Sequence, residues 1–328
     1  MKIPKSRLVL LAAFAASLVF FIFQMNLLPG IKTRLGRQKG FGLLATVLDI
    51  IRHDYLEETD PLRTADGAYR GLVNSLDALS CYLDQDLTDR FQAGTEDATE
   101  PGLVIFKQYN DFPQVRGVIP GSPADQAGIR IGDVVSAVNG RETLRMSLTE
   151  AVLNLQGTDE KPVELKILRR EEASELSIPR GRLHPKPSSL VRTAAGPAIL
   201  TVHRFSPGLA ASLKKDLVAQ ISGPRSPLVI DLRHCFSGEM EEARVFLNLF
   251  LRAGTVGSFG KRNGARKNLA CPEDPAAPEL PLVVWVGPAT MGPAELVAGV
   301  LQELGRAKIV GTPTLGLVAR REFFRLRD

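Results

Sequence analysis

The sequence predicts a multidomain α+β protein, with a small helical region near the N-terminus, a β-rich middle unit and a C-terminal α/β core. Three observations predict it. Apolar residues at Leu44, Val47, Leu48 and Ile51 recur at helical spacing. Residues 100–180 hold short apolar runs separated by Gly, Pro and Asn-Gly turn signals, the pattern of a strand-rich unit. From Ala198 onward, apolar runs of strand length alternate with amphipathic stretches, which argues for strands buried between helices. With 328 residues, 44% of them hydrophobic and 23% charged, the chain can bury more than one core.

The first 30 residues have the pattern of a signal anchor. Lys2, Lys5 and Arg7 precede an apolar run from Leu8 to Phe23, and Met25, Leu27 and Leu28 extend it. The run approaches the ~20 residues that cross a bilayer. Its alanines lie inside it rather than after it, so an uncleaved anchor is favoured over a cleaved signal peptide. Basic residues flank both ends (Lys32, Arg34, Arg37 and Lys39 follow), so the charge bias gives a weak orientation. The protein is therefore expected to be membrane-anchored and extracytoplasmic.

Residues 40–95 form the helical region, with a first helix over 41–55 and a second over 64–76, where Ala68, Leu72 and Leu76 share a face. Residues 98–182 form the middle unit. Gly102 leads into a strand ending at Phe106, and Val115–Ile119 is a second. Ser122 with Pro123 opens a short helix that Gly128 closes. Val134–Val138 ends in the hairpin signal Asn139-Gly140. Ser147 caps a helix running to Leu155, and Val163–Leu168 closes the unit. The Pro-rich stretch His184–Ser189 is a linker.

Residues 190–328 form the core. The expected elements are a strand at Ala198–Val202, a turn at Phe205–Pro207 with Ser206 as a helix cap, and a helix over Leu209–Ile221. A strand at Leu228–Leu232 and a helix over Glu239–Leu251 follow, then a polar surface loop over Arg262–Pro278. The last part reads as a buried strand (Leu282–Val286), a Gly/Pro turn (Gly287–Pro293), a helix (Ala294–Leu304) and a strand at Lys308–Gly311. A tight strand-to-helix turn is where many hydrolases place a nucleophile, because its amides and the helix dipole stabilise an oxyanion. Here the turn carries no nucleophile at its apex.

The totals exclude some functions. The net charge of +5 comes from 41 basic and 36 acidic residues spread along the chain, with no dense basic block interleaved with aromatics, so a nucleic-acid partner is not expected. Three cysteines (Cys81, Cys235, Cys271) without C-x-x-C spacing give no zinc motif, and no metal or other cofactor is expected. Glu239, Glu241 and Glu242 read as a solvated helix N-terminus.

Four segments carry a family resemblance: LDALSCYLD (76–84), GSPADQAGIRIGDVVSAVNG (121–140), LVIDLRHCFSGEMEEARVFLNLFL (228–251) and LVVWVGPATMGPAELVAGVLQELGRAKIVGTPTLG (282–316). The second resembles a PDZ domain. Together they resemble the carboxy-terminal processing (tail-specific) serine peptidases, over about residues 40–328. The resemblance implies a crotonase/Clp-like α/β core beside the PDZ domain, and peptide capture by strand addition. Carried over by position, the peptide-binding residues are Gly102, Leu103, Val104 and Ile105 on the pairing strand and Ala151, Val152 and Leu155 on the facing helix. Pro101 stands in the carboxylate-binding loop and has no amide hydrogen to donate. Phe323–Asp328 resembles the beginning of the family's next strand segment, which in the family continues well beyond this point. The core is therefore expected to be shortened, to be completed by another subunit, or to belong to a longer protein.

At the family's catalytic positions the sequence departs from it. Glu295, Gln302, Gly305, Arg306 and Gly316 set the register. The register places Gly292 at the Ser nucleophile, Leu317 at the Lys base and Arg321 at the Gln that positions the Lys. The oxyanion positions fall on Pro293 and on Ser237-Gly238 in the turn beginning at Cys235. Glycine has no nucleophile, leucine accepts no proton and proline donates no N–H. The expectation is a pseudopeptidase that binds protein C-terminal peptides or an active peptidase homologue. The alternatives are an active serine endopeptidase cleaving near C-termini and a structural assembly module. Thr290, or a His203–Cys235 pair, would be the substitute nucleophiles; Asp231 and Arg233 are expected to brace a strand end.

Overall fold

The structure is a computed structural model that describes residues 29–57, 60–93, 98–157, 161–183, 186–192, 196–221, 227–272, 275 and 280–326. Residues 1–28 of the expected anchor lie outside it. Among the described residues no helix is long and apolar enough to cross a membrane. Contacts divide the chain into residues 1–69 and 70–328. The first unit holds helix α1 (Pro29–Asp54), which starts earlier than the periodicity alone places it, and the opening turns of α2 (Pro61–Asn74).

In the second unit the end of α2 leads to α3 (Gln85–Gln92), capped by the Asp84 carboxylate on the Leu87 amide at 2.9 Å. Arg70 pairs with Asp84 and with Glu150 (3.0 Å), and Glu150, buried in the β-rich unit, also takes Arg141 at 2.8 Å. Two cations thus compensate one buried carboxylate, which burial alone would make costly.

The β-rich unit is a six-stranded antiparallel sheet. Its strands are β1 (Leu103–Phe106), β2 (Gln114–Val118), β3 (Val134–Val138), β4 (Arg141–Glu142), β5 (Val163–Arg169) and β6 (Glu172–Ile178). They run in the order β1-β2-β3-β5-β6, with β4 on β3. Asn139 and Gly140, with φ of 49° and 74°, make the tight turn between β3 and β4. The helices α4 (Pro123–Gln126) and α5 (Leu148–Leu155) start at Ser122 and Ser147, whose hydroxyls accept the amides of Asp125 and Glu150 at 3.3 and 3.0 Å. The core joins Leu103, Ile105, Val115, Val135 and Val138 to Ala151 and Leu155. Val163–Leu168 does not close the unit. β6 follows through Arg170-Glu171, both at positive φ, and pairs with β5 along its whole length. Its outward residues are polar and exposed, which hides the strand from hydropathy.

The core sheet has the order β13-β12-β9-β8-β7, where β7 is Ser188–Arg192, β8 Ala198–Val202, β9 Leu228–Asp231, β12 Leu282–Val286 and β13 Ala307–Gly311. β8, β9, β12 and β13 are parallel, and β7 joins antiparallel to β8. The end of the expected linker, Ser188-Ser189, is therefore strand. Helices α6 (Leu209–Ile221), α7 (Met240–Leu247) and α8 (Pro293–Glu303) bury Leu213, Leu217, Phe246, Leu247, Val297 and Leu301 in one cluster with Leu200, Ile230 and Val284. Phe246 meets Phe205 and Phe250 edge-on, with centroids 5.4 Å apart in both pairs. Arg262–Pro278 is not all loop: β10 (Gly254–Gly260) and β11 (Arg266–Cys271) form a hairpin whose Leu269 and Cys271 are buried. The stretch after β13, through Leu326, has no regular structure, and Phe323 packs on Phe91 at 5.2 Å.

Two further expectations change. Ser206 does not cap α6, and Glu242 is not solvated. The buried Glu242 carboxylate reaches across from α7 and accepts the amides of Gly208 (3.1 Å) and Ala210 (2.8 Å) at the start of α6. It supplies the anion that a helix N-terminus favours. Glu242→Ala should cost about 2 kcal/mol, the scale of charge-assisted bonds to buried amides. Urea unfolding would show this as a lower midpoint at unchanged slope, whereas an unchanged midpoint would contradict the capping role.

Candidate functional site: a strand-to-helix turn at the carboxyl ends of the parallel strands

The site is built where β9 and β12 end side by side. Their register pairs Leu282 with Leu228 and Trp285 with Asp231, so the chain segments leaving the two strands run together. Ligand sites in open parallel sheets lie outside such carboxyl ends. After β12, Thr290 folds the turn: its Oγ1 accepts the Gly287 amide at 2.9 Å and donates to the Leu232 carbonyl at 2.8 Å. Next to it, the Met291 amide donates to the Cys235 carbonyl at 3.1 Å. These bonds join the 287–292 turn to the 235–238 turn.

Gly292 stands at the N-cap of α8 with φ 57° and ψ −113°. This is a strained region for any residue with a side chain, costing of order 1–3 kcal/mol. Strand-to-helix turns that carry a nucleophile hold it in such a strained conformation. Gly292 occupies this conformation with no side chain on it. A Cβ built at Gly292 would meet only Met240 Cε, at 3.9 Å, which is ordinary contact. Pro293 follows at the first helical position, so α8 begins with a residue that has no N–H.

The buried Glu295 carboxylate organises the turn. It accepts the Gly292 amide at 2.9 Å, the Leu317 amide at 2.8 Å and the Gly316 amide at 2.5 Å. One side chain from the first turn of α8 therefore ties the Gly292 position to the segment after β13. Leu317 is half-buried beside this anchor, and Arg321 lies exposed four residues on. The structure brings the amides of Gly292 and Leu317 to the same oxygen, Oε2, of one carboxylate; Arg321 sits outside any regular element.

The other sequence-derived candidates are engaged in the scaffold. Thr290 is fully buried and its hydroxyl is used twice in the turn. Cys235 is fully buried, and burial pushes its thiol far up. A thiol held protonated is a poor nucleophile. Gly238, at φ 130°, pairs with Phe205, whose amide donates to the Ser237 carbonyl at 3.1 Å. Burial pushes the imidazoles of His203 and His234 down, against the pull of Asp231. Asp231 does brace a strand end: Arg233 donates to it through Nε (3.0 Å) and Nη2 (2.7 Å). The guanidinium of Arg233 lies 4.8 Å from the Trp285 ring centre. The three cysteines are free.

The residues carried over for a peptide groove lie on β1 and α5. Among the described residues β1 pairs only with β2, so its other edge is open in the sheet order. Leu103, Val104 and Ile105 are buried, as are Ala151 and Leu155 on α5, with Val152 partly buried against the same core. In the carboxylate loop the Glu100 amide is taken by the Gly181 carbonyl at 3.0 Å. With Pro101 lacking an N–H, Gly102 and Leu103 are the loop's remaining amide positions. Sequence reasoning missed Glu295 as the clamp. Its only signal was an acidic residue three positions after the cap, which also reads as ordinary helix capping.

An antiparallel sheet joined to a parallel α/β core with this strand-to-helix turn is the arrangement that the resemblance to processing peptidases with a PDZ domain implies. The family models agree: residues 114–169 match the model described as PDZ domain, and residues 197–328 match Peptidase family S41. These two regions belong to those families. The chain is similar to a probable CtpA-like serine protease of Staphylococcus aureus (strain COL), at 28% identity over 286 residues, covering 85% of this chain and 57% of the relative. It is also similar to the carboxy-terminal processing protease CtpA of Bacillus subtilis (strain 168), at 27% identity over 309 residues, covering 93% of this chain and 66% of the relative. The chain thus spans less than two thirds of the length of these relatives. The solved photosystem II D1 C-terminal processing protease shares the fold, with a TM-score of 0.68 at 23% identity over 81% of this chain and 75% of that one.

Glu295→Ala should remove the acceptor of three amides and cost about 3 kcal/mol of stability. Hydrogen exchange at the amides of Gly316 and Leu317 should accelerate more than that of the β12 amides. Equal acceleration throughout would mean that the carboxylate supports the fold generally and does not hold this segment.

Proposed function

We propose that the protein is a membrane-anchored, extracytoplasmic homologue of the processing peptidases that binds peptides without cleaving them. It would act through its PDZ groove on protein C-termini, or on an active peptidase homologue. One observation carries this reading: the turn before α8 has a strained backbone at Gly292, and the family resemblance assigns the nucleophile to that position. Two further features support it. Pro293 has no amide to donate beside Gly292, and Leu317, at the position the resemblance assigns to the base, accepts no proton. Loss of one oxyanion donor alone costs about 3 kcal/mol of transition-state stabilisation. Nucleophile and base must act as a pair, and neither side chain is of the required type. The open edge of β1 and the apolar α5 face favour retained peptide binding. Anchoring and location outside the cytoplasm rest on the basic-then-apolar N-terminus.

The test is a fluorophosphonate probe followed by reversion. The native chain should take up no label. The variant Gly292→Ser, Pro293→Ala, Leu317→Lys and Arg321→Gln should become labelled at position 292, since a side chain there meets only Met240 at contact distance. A label mapped to any residue of the native chain would instead establish an active serine-type peptidase.

A further inference from the structure

Helix α5 is held in place partly by residues outside the PDZ domain. Its last turn lacks the usual glycine cap. Gln156 follows Leu155 in an extended conformation, so the helix ends without a left-handed turn. The carbonyls of Leu153, Asn154 and Leu155 are then left without helical partners. Two arginines supply them. Arg90 of α3 donates from Nη2 to the Leu153 carbonyl at 2.5 Å, and from Nη1 to Oδ1 of the buried Asn154 at 3.4 Å. Arg180, which follows β6, donates to the Leu155 carbonyl at 2.8 Å and to the Asn154 carbonyl at 3.1 Å. Both cations stand at the negative end of the helix dipole. The entry to α5 is fixed separately. Lys107, next after β1, donates to the carbonyls of Thr143 (2.9 Å), Leu144 (2.8 Å) and Met146 (2.5 Å), just before the Ser147 cap. Arg70 bonds Glu150 in the first turn and, with the same guanidinium, the Asp84 cap of α3.

We propose that Arg90 is a positioning residue of the peptide groove, so that α3 sets the affinity of the PDZ domain for a peptide. The proposal rests on the peptide-binding reading above. The matched PDZ region is 114–169 and α3 is Gln85–Gln92, so the control lies outside the domain that binds. A peptide added to β1 must fit between that strand and α5. Val152 and Leu155 belong to the turn that Arg90 and Arg180 hold, so the place of this turn decides the width of the groove. A wall fixed beforehand also spares the peptide the cost of ordering it. α3 has only eight residues, too few to be stable alone. It is docked by the buried Leu87, by the Arg70–Asp84 pair and by Phe91, whose ring centre lies 5.2 Å from that of Phe323. An element docked by so few groups opens more readily than the sheet it braces. Displacing α3 withdraws Arg90 from α5 while every groove residue stays native.

The test uses the full chain and a short fluorescent peptide with a free C-terminal leucine, reading binding by anisotropy and backbone opening by hydrogen exchange. Arg90→Met should weaken binding about tenfold, the ratio that one charge-assisted hydrogen bond supports. Without peptide, the same variant should speed exchange in α5 and leave β5 unchanged. The Arg90 side chain is 37% exposed, so the variant should fold. Arg90→Lys keeps a cation that can donate to the Leu153 carbonyl and should recover most of the affinity. Coupling is reciprocal, so saturating peptide should slow exchange in α3 of the native chain and have no effect on α3 in Arg90→Met. Native affinity in Arg90→Met would overturn the proposal. Weakened binding with no effect of peptide on α3 exchange in the native chain would also overturn it, leaving Arg90 a merely structural role. If the native chain binds no peptide while α5 exchange still responds to Arg90→Met, the peptide-binding reading fails and the positioning of α5 by α3 stands. If neither responds, both fail.

Discussion

The Glu295 carboxylate is the interaction on which the site depends. It is one buried anion satisfied by three backbone amides, and those amides come from the two places that the chemistry of a processing peptidase would have to bring together. Backbone donors hold a charge without needing any particular side chain nearby. The clamp therefore keeps its form whether the residue at its centre is serine or glycine, and whether the residue after Gly316 is lysine or leucine. This separates scaffold from chemistry. The fold-level signature in residues 282–316 can stay intact while the reacting groups are exchanged, since none of them is needed to close the turn. Thr290 and the Met291–Cys235 bond complete this independence from the other side.

The same separation applies to the PDZ domain. Its groove is formed by the open edge of β1 and one face of α5, while its attachment to the core uses β2, through Gly117. The proposed binding edge and the contact with the core thus fall on different strands of the sheet's first hairpin. Strand addition at β1 would extend the sheet without disturbing the Gly117–Ala289 contact.

Much of this was legible in the sequence because it is written in short local codes. Ser122 and Ser147 as caps, Asn139-Gly140 as a hairpin, and the strand, turn and helix of residues 282–304 all follow from neighbours in the chain. What stayed hidden depends on distant partners. β6 and β11 read as polar because most of their residues face outward, and only pairing with β5 and β10 makes them strands. Glu242 and Glu295 look like surface acids at helix starts. Their roles come from amides 34 and 21 residues away, at Gly208 and Gly316, which no periodicity reveals. The seat at Gly292 was located by register alone. Its φ and ψ add that the backbone there is strained.

The central claim is that peptide binding has outlived peptide cleavage on this frame. Mass spectrometry of a tail peptide recovered after prolonged incubation with the full chain, in parallel with its binding isotherm, tests it most directly. The account predicts saturable binding that weakens in Val152→Glu, with every recovered molecule intact. Peptide fragments that accumulate in proportion to the bound fraction, and disappear in the same variant, would contradict it.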